Sequence, residues 1–331
     1  MPPPTLRQIA ALAGVSSMTV SRAIVGRGRI AEATRQRIVQ LAREYGYTPD
    51  PAIAKLMHHL RGRRAQRFQS LIVGLSTRQA DDPEVYFRLI SRGAKTRLAE
   101  RGYGFDLMHI PSNPADWPSL QRMLKSRGVE GILILPQAAP IDLTHVLDWS
   151  QFCVVAASAS ATLPGAHRVT PHHFANMLLL CRTLTQQGHR RLGLVIASDH
   201  DRRTEHGFTA GVTWHGLNES AHFVPPYISH QNNPAELRAW FAREKPDVII
   251  TSQLSTARAC AADLRCKLRG PVRFVCTSRL PTRAAQIAGI DERPELIGAA
   301  AADRLASMVE RRKPTLTLAP QSTLLTGHWM D

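Results

Sequence analysis

Residues 5–24 read Thr5-Leu-Arg-Gln-Ile-Ala-Ala-Leu-Ala-Gly-Val-Ser-Ser-Met-Thr-Val-Ser-Arg-Ala-Ile24. Thr5 and Gln8 fit a capping box, and Leu6, Ile9, Ala10 and Ala13 recur at helical spacing, which predicts a short amphipathic helix. Gly14 supplies the left-handed residue that ends it. Val15 plugs the corner, and Ser16 or Ser17 caps a second helix running to about Val25. In that helix Val20, Ala23 and Ile24 face the first helix, while Ser17, Met18, Ser21 and Arg22 face outward. Two helices joined by so tight a turn, with a polar outer face, read as a helix-turn-helix. A third helix from Glu32 to Tyr45 is predicted to bury Ile38, Leu41, Ala42 and Tyr45 and to stop at Gly46. Three short helices then share one small core.

Charge points the same way. The 331-residue chain carries 42 Lys plus Arg against 26 Asp plus Glu, a formal net charge of +16. Residues 1–64 hold ten Arg and Lys55 against Glu32, Glu44 and Asp50, so half of the excess sits in about a fifth of the chain. Such a concentration matches a polyanionic partner better than an evenly basic shell does. Arg outnumbers Lys 36 to 6, and isolated Arg residues elsewhere therefore carry less weight.

A helix-turn-helix reads the major groove with the exposed side chains near the start of its second helix. Ser17, Met18 and Arg22 are the candidate base contacts, Arg22 as a bidentate donor to guanine O6 and N7. Thr5, Ser16, Thr19, Ser21 and Arg35 are assigned to phosphates, which set register without reading sequence. For each hydroxyl the competing role is that of an ordinary helix cap or surface group.

The stretch quoted above, followed by Glu32-Ala-Thr-Arg-Gln-Arg-Ile and by Tyr45-Gly-Tyr-Thr-Pro-Asp, closely resembles the headpiece of the lactose-repressor (LacI/GalR) family of bacterial transcription regulators. Ala31 stands where that family usually has a capping Ser, and Glu32 compensates through the helix dipole. The resemblance implies that Pro49-Asp-Pro-Ala-Ile-Ala-Lys-Leu-Met-His-His-Leu is a hinge that turns helical on DNA, with Leu56 wedged into the minor groove. Asp50 and Ile53 replace the family's usual Asn and Ala. A linker helix packed on a partner copy is the alternative role for Leu56, Met57 and Leu60.

Beyond Arg61-Gly-Arg-Arg-Ala-Gln-Arg, strand-like runs alternate with helical stretches. Leu71-Ile-Val-Gly-Leu, Gly104-Phe-Asp-Leu-Met-His, Gly131-Ile-Leu-Ile-Leu-Pro and Phe152-Cys-Val-Val-Ala are separated by predicted helices around 84–101, 116–127 and 142–149. A second series holds Arg191-Leu-Gly-Leu-Val-Ile, Ala221-His-Phe-Val-Pro, Asp247-Val-Ile-Ile-Thr and Arg273-Phe-Val-Cys. Its helices are expected near 173–187, 204–216, 234–244, 255–268 and 294–311. This is the rhythm of parallel, doubly wound sheets in two α/β lobes.

Arg92-Gly-Ala-Lys, Val129-Glu-Gly-Ile-Leu-Ile-Leu-Pro and Gly188-His-Arg-Arg-Leu-Gly-Leu-Val extend the resemblance to the family's periplasmic-binding-protein-like core. The fold class expected is therefore multi-domain: an all-α helix-turn-helix headpiece over 1–48, a hinge and linker over 49–68, and a two-lobed α/β core with parallel sheets over 69–331. The N-lobe is expected to span about 69–166 plus 293–320 and the C-lobe about 167–292 plus 321–331. Interlobe crossings carried over from the family fall near 166–169, 291–294 and 318–322. The resemblance also implies a small effector in the cleft between lobes, lined by residues just after each strand. Candidates are Asp82, Tyr86, Arg203, Gln253 and Ser278; for Tyr86 a core role competes. The family's usual polar contacts are replaced here by His172, Thr204, Gln253-Leu254 and Ser278-Arg279. That leaves an anionic effector, a different neutral one, or none.

No P-loop, G-x-S-x-G or H-E-x-x-H motif is present, and no catalytic residue is assigned. Asp81-Asp82 and Asp291-Glu292 are adjacent pairs that point in different directions, and His58-His59 and His172-His173 fail the same test for a metal. No metal and no cofactor are expected. Cys153, Cys181, Cys260, Cys266 and Cys276 are odd in number and scattered, which predicts buried, reduced thiols. The Met-Pro-Pro-Pro-Thr start lacks a secretory plan and no run of about 18 apolar residues occurs, so a cytoplasmic protein without a membrane partner is expected. No heptad segment follows Asp331, which favours a homodimer over a coiled-coil tetramer. The function expected is a sequence-specific DNA-binding transcriptional regulator, read as a repressor, binding a palindromic operator as a dimer under a small effector. The alternative is a solute-binding protein or α/β enzyme with an incidental helical segment.

Overall fold

A computed structural model describes residues 6–16, 19–20, 23, 30–45, 70–219, 222–230, 233–251, 273–280, 287–311 and 316–331. The hinge expected over 49–68 and the helix expected over 255–268 lie outside the described residues, as do Thr5, Ser17, Met18, Ser21, Arg22, Leu56 and Gln253.

Helix α1 (Leu6–Ala13) buries Ile9, Ala10 and Ala13. Gly14 follows at φ 63°, and the Val15 amide returns to the Ala10 carbonyl at 3.1 Å, closing the helix with a left-handed cap. Thr19, Val20 and Ala23 are helical, and the last two are buried. Helix α2 (Glu32–Glu44) brings Ile38 and Ala42 inward, so that Ile38 packs in one small cluster with Ile9 and Val20. No side chain caps α2 at Ala31, and Glu32 supplies the acid of its first turn. Tyr45 departs from expectation: it stands at the C-cap and is 51% exposed, because the helix turns Leu41 and Ala42 toward the core instead.

The first lobe is a six-stranded parallel sheet of β1 (Leu71–Ser76), β2 (Gly104–His109), β3 (Val129–Ile134), β5 (Cys153–Ala156), β7 (His167–Pro171) and β13 (Ser322–Leu325), in the order β13-β7-β5-β3-β1-β2. Its central strands are apolar on both faces because both faces are covered. Ile72, Leu133 and Val155 pack under α3 (Val85–Glu100) and α9 (Pro294–Arg311). Val73, Ile132 and Val154, one residue away in the pleat, pack under α4 (Trp117–Ser126) and Trp149. Helices α3 and α9 touch backbone to backbone: a Cβ on Gly93 would overlap the Glu295 carbonyl, and one on Gly298 the Ile90 carbonyl.

The second lobe repeats the plan with β8 (Leu192–Ala197), β9 (Tyr227–Ser229), β10 (Val248–Thr251), β11 (Arg273–Cys276), β12 (Gly289–Asp291) and β14 (His328–Met330). Their order is β14-β12-β11-β10-β8-β9, with β14 antiparallel to β12. Helices α5 (His173–Gln186) and α7 (Gly207–Asn218) cover one face through Leu180, Leu184, Phe208 and Val212. Helix α8 (Pro234–Glu244) covers the other through Leu237, Trp240 and Phe241. Cys153, Cys181 and Cys276 are buried thiols, and burial pushes the Cys153 and Cys276 thiols up to about 11. Among the described residues no helix is long and apolar enough to cross a membrane.

Within the two lobes, four expectations about elements and chain path need correction. The helix expected over 142–149 is absent: β4 (Ile141–Asp142) pairs with β6 (Ala161–Thr162), and Asp142 then turns the chain by accepting from the Thr144 amide and hydroxyl at 2.9 and 2.6 Å. The helix expected near 204–216 starts later, as α7 (Gly207–Asn218), because an unexpected short helix, α6 (Ser198–Arg203), precedes it and the chain breaks at Glu205 and His206, whose φ values are positive. Buried Asp201 fixes that break by holding His206 Nδ1 at 2.7 Å and Thr209 Oγ1 at 2.5 Å. The strand expected over 221–225 forms later, at Tyr227, since Pro225 and Pro226 have no N–H to give a ladder. Finally, β7 and β13 belong to the first sheet. The crossings therefore follow Pro171 and Leu325, not 166–169 and 318–322, while the middle one runs from Asp291 to Pro294.

Candidate nucleic-acid interface and inter-lobe cleft

In the headpiece, Ser16 Oγ accepts the Thr19 amide at 3.1 Å, which is the bond of a helix N-cap. The Ser16 and Thr19 hydroxyls also meet at 2.9 Å, leaving one O–H of the pair to donate elsewhere. Arg35 leans toward Glu32 at 3.8 Å. Sequence reasoning passed over Arg37, whose guanidinium donates to the Ala13 carbonyl at 2.7 Å and so ties α2 to the C-terminal end of α1.

In the core, the carboxyl ends of the strands in both sheets face a common cavity of about 500 Å³. Arg78 and Tyr86 come from the end of β1 and the start of α3, Gln137 follows β3, and Ser158 and Ser160 follow β5. From the second lobe come His173, His200, Arg203 and Ser278, with Glu292 on the middle crossing. Such convergence beyond strand ends is where open α/β sheets hold ligands. Of the five residues expected here, Tyr86, Arg203 and Ser278 line the cavity. Asp82 does not. It lies behind the wall, where both its oxygens accept from Arg78 at 3.1 Å and one takes the Glu84 amide at 2.9 Å. That amide, with Arg78, holds the Asp82 carboxyl below the usual carboxylate range.

The wall is built from short, satisfied bonds. Buried Gln137 accepts the Thr77 amide at 2.7 Å and donates to the Leu135 carbonyl at 2.5 Å, while Ser160 accepts the Gln137 amide at 2.9 Å. Glu84 caps α3 by accepting from the Tyr86 and Phe87 amides at 3.0 and 2.8 Å. Buried Glu292 meets His173 Nδ1 at 3.1 Å, and His173 lies edge-on to Phe208. Tyr86 faces Glu292; burial, then that carboxylate, pushes its phenol well above the usual tyrosine range.

His200 stacks on Phe208 and faces Arg203, whose NH2 group lies 3.3 Å from Nδ1. Burial, then the Arg203 charge, lowers its pKa to about 4, so the ring is neutral, with Nδ1 the acceptor and Nε2 carrying the proton. Arg203 also donates to the Asp199 carbonyl at 3.3 Å, and burial, followed by repulsion from Arg78, lowers its pKa. Sequence reasoning missed Arg78, Glu84, Gln137 and His200. Their signal was position alone, just past a strand or at a helix start. In the sequence His173 and Glu292 stand in adjacent His-His and Asp-Glu pairs, whereas the fold joins one member of each. Among the described residues no group of His, Cys, Asp or Glu is arranged to hold a metal ion.

Comparison with known proteins covers both parts of the chain. The pattern of "Bacterial regulatory proteins, lacI family" matches residues 5–50, and that of "Periplasmic binding proteins and sugar binding domain of LacI family" matches residues 70–325. The maltose regulon regulatory protein MalI of Escherichia coli K12 is 27% identical over 251 residues, 74% of this chain and 69% of MalI. The transcriptional repressor CytR of the same organism is 25% identical over 193 residues, covering 58% of this chain and about half of CytR (53%). Among solved structures, a CelR–cellobiose complex superposes with TM-score 0.57 at 21% identity, covering 99% of this chain and 98% of that one. A lac repressor dimer bound to operator and the anti-inducer ONPF superposes with TM-score 0.58 at 17% identity over the same shares, and these likenesses show the fold. With one pattern on the headpiece and the other on more than half of its length, the chain belongs to the lacI family of bacterial regulatory proteins.

Proposed function

We propose that this regulator represses transcription as a homodimer on a palindromic operator, each headpiece reading one half-site and a small molecule in the inter-lobe cleft setting the response. The observation that carries this is the small headpiece core, in which Ile9 of α1, Val20 and Ala23 pack together with Ile38 of α2. That core orients the second helix for the major groove. Ser17, Met18 and Arg22 read bases there. Thr5, the Ser16–Thr19 pair, Ser21 and Arg35 hold phosphates, and Leu56 wedges into the minor groove between half-sites. Two half-sites on one dimer multiply affinity, and a ligand that draws the lobes together changes the spacing at which the hinges meet DNA.

Selection from random duplexes tests this. Palindromic enrichment is expected, and its absence would sink the proposal. In the enriched site, Arg22→Ala relaxes preference at one base pair, whereas Arg35→Ala weakens all sequences alike and lowers the salt slope by about one. If the two variants behave alike, the division between base and phosphate contacts is wrong.

A further inference from the structure

We propose that the inter-lobe cleft takes an anion, a small molecule bearing a carboxylate or a phosphate, seated against Arg78, His200 and Arg203. This rests on the cleft being the effector site, and it adds the chemical class. A neutral sugar or base would ask the cleft for acceptors as well as donors. The acids on or beside the wall have little left to offer. Both oxygens of Glu84 take backbone amides of α3, both oxygens of Asp82 take Arg78, and Glu292 is held by His173 and faced by Tyr86.

The basic groups are in the opposite condition. Of the buried side-chain polar atoms without a partner among the described residues, two belong to the cavity wall, Arg78 Nε and His200 Nε2. Both are donors: the guanidinium Nε carries hydrogen, and His200 uses Nδ1 to accept from Arg203. Arg203 reaches a carbonyl and an imidazole nitrogen, neither of which bears negative charge. Two guanidiniums close enough to repel thus line one cavity, and His200, with its partnerless imidazole N–H, belongs to the same wall. A bound anion would give Arg203 a negative partner and offer acceptors to the spare N–H groups of Arg78 and His200, with charge-assisted hydrogen bonds to planar donors in a site shielded from water. A cavity of about 500 Å³ suits a hydroxylated acid or phosphate of sugar size.

The test uses the full chain and matched sets of probes on one carbon skeleton: aldose, aldonate and aldose phosphate, with inorganic phosphate and sulfate alongside. Thermal unfolding and calorimetric titration are the readouts. The aldonate arm or the aldose phosphate arm is expected to raise the melting temperature in proportion to the logarithm of its concentration, and the aldose is not. Which arm responds separates carboxylate from phosphate. Arg203→Gln and Arg78→Gln should each weaken that ligand about tenfold or more, and Arg203→Lys should keep part of the affinity because charge survives while the planar fork is lost. Stabilisation by the aldose alone would keep the cleft as an effector site and overturn the anionic class. So would silence of every anionic probe at millimolar concentration. Anion binding undiminished in both Gln variants would place the anion on another basic surface and overturn the assignment. Because DNA selection reads the headpiece, its failure and the failure of the anion assignment are seen separately.

Discussion

His200 shows how one side chain can register its surroundings. Stacked on Phe208 and facing Arg203, it stays neutral in the folded protein until pH falls to about 4. The unfolded chain takes up that proton near pH 6.5. Between those values the unfolded state binds more protons, so stability falls as pH falls through the window. From pH 7 to pH 5 the expected contribution of this residue is a loss of about 2 kcal/mol. Urea unfolding of the wild type and of His200→Phe at both pH values measures it. The variant, which keeps the ring stack, should lose about 2 kcal/mol less over the same interval. Equal losses would mean that the ring is hydrated. At this scale the sequence was readable where chemistry is local, as at Gly14 and Ser16, whose cap roles depend on near neighbours. It was opaque where a partner arrives from far along the chain: His173 and Glu292 meet across 119 positions, and no spacing announces them.

Among the elements, the pair α3 and α9 is held most tightly, by two glycines that let backbones meet. Gly93 sits against Glu295 and Gly298 against Ile90, while Arg101 just past α3 reaches Asp303 and Glu310 on α9 at 3.0 Å each. A methyl group at Gly298 has no flexible side chain to push aside; it meets the Ile90 carbonyl itself. Gly298→Ala should therefore cost about 3 kcal/mol despite the better helix propensity of Ala, because the helices must part. Chemical denaturation checks this, and a variant as stable as wild type would show that the crossing is loose. The long helices and central strands were legible because apolar runs and helical periods persist over many residues. Helices expected over 234–244 and 294–311 are found at Pro234–Glu244 and Pro294–Arg311. The short, polar edge strands carry no such signal in their own residues. Ser322–Leu325 is largely exposed and gains its place from pairing with His167–Pro171, a tertiary fact that leaves no alternation in so few residues.

Across the whole molecule, net charge and useful charge differ. The +16 divides evenly between residues 1–64 and the rest, yet many core arginines are engaged within the protein. Arg101 holds α9, Arg168 pairs with Glu205 across the lobes, and Arg182 binds Glu219. Counterion release counts the phosphates a protein neutralises, not its total charge. If DNA docks on the headpiece and hinge, the salt dependence of operator binding belongs to the first 64 residues. Arg122 and Arg127, on and just after α4 in the first lobe, offer the control. Replacing both with Ala lowers the net charge by two and should leave the salt slope unchanged, whereas Arg35→Ala alone should lower it by about one. Both measurements use the full chain on one operator duplex over the same range of salt. A slope that falls with the core variant would bring the first lobe onto the DNA, and the cavity arginines would then have to be counted with the polyanion-binding surface.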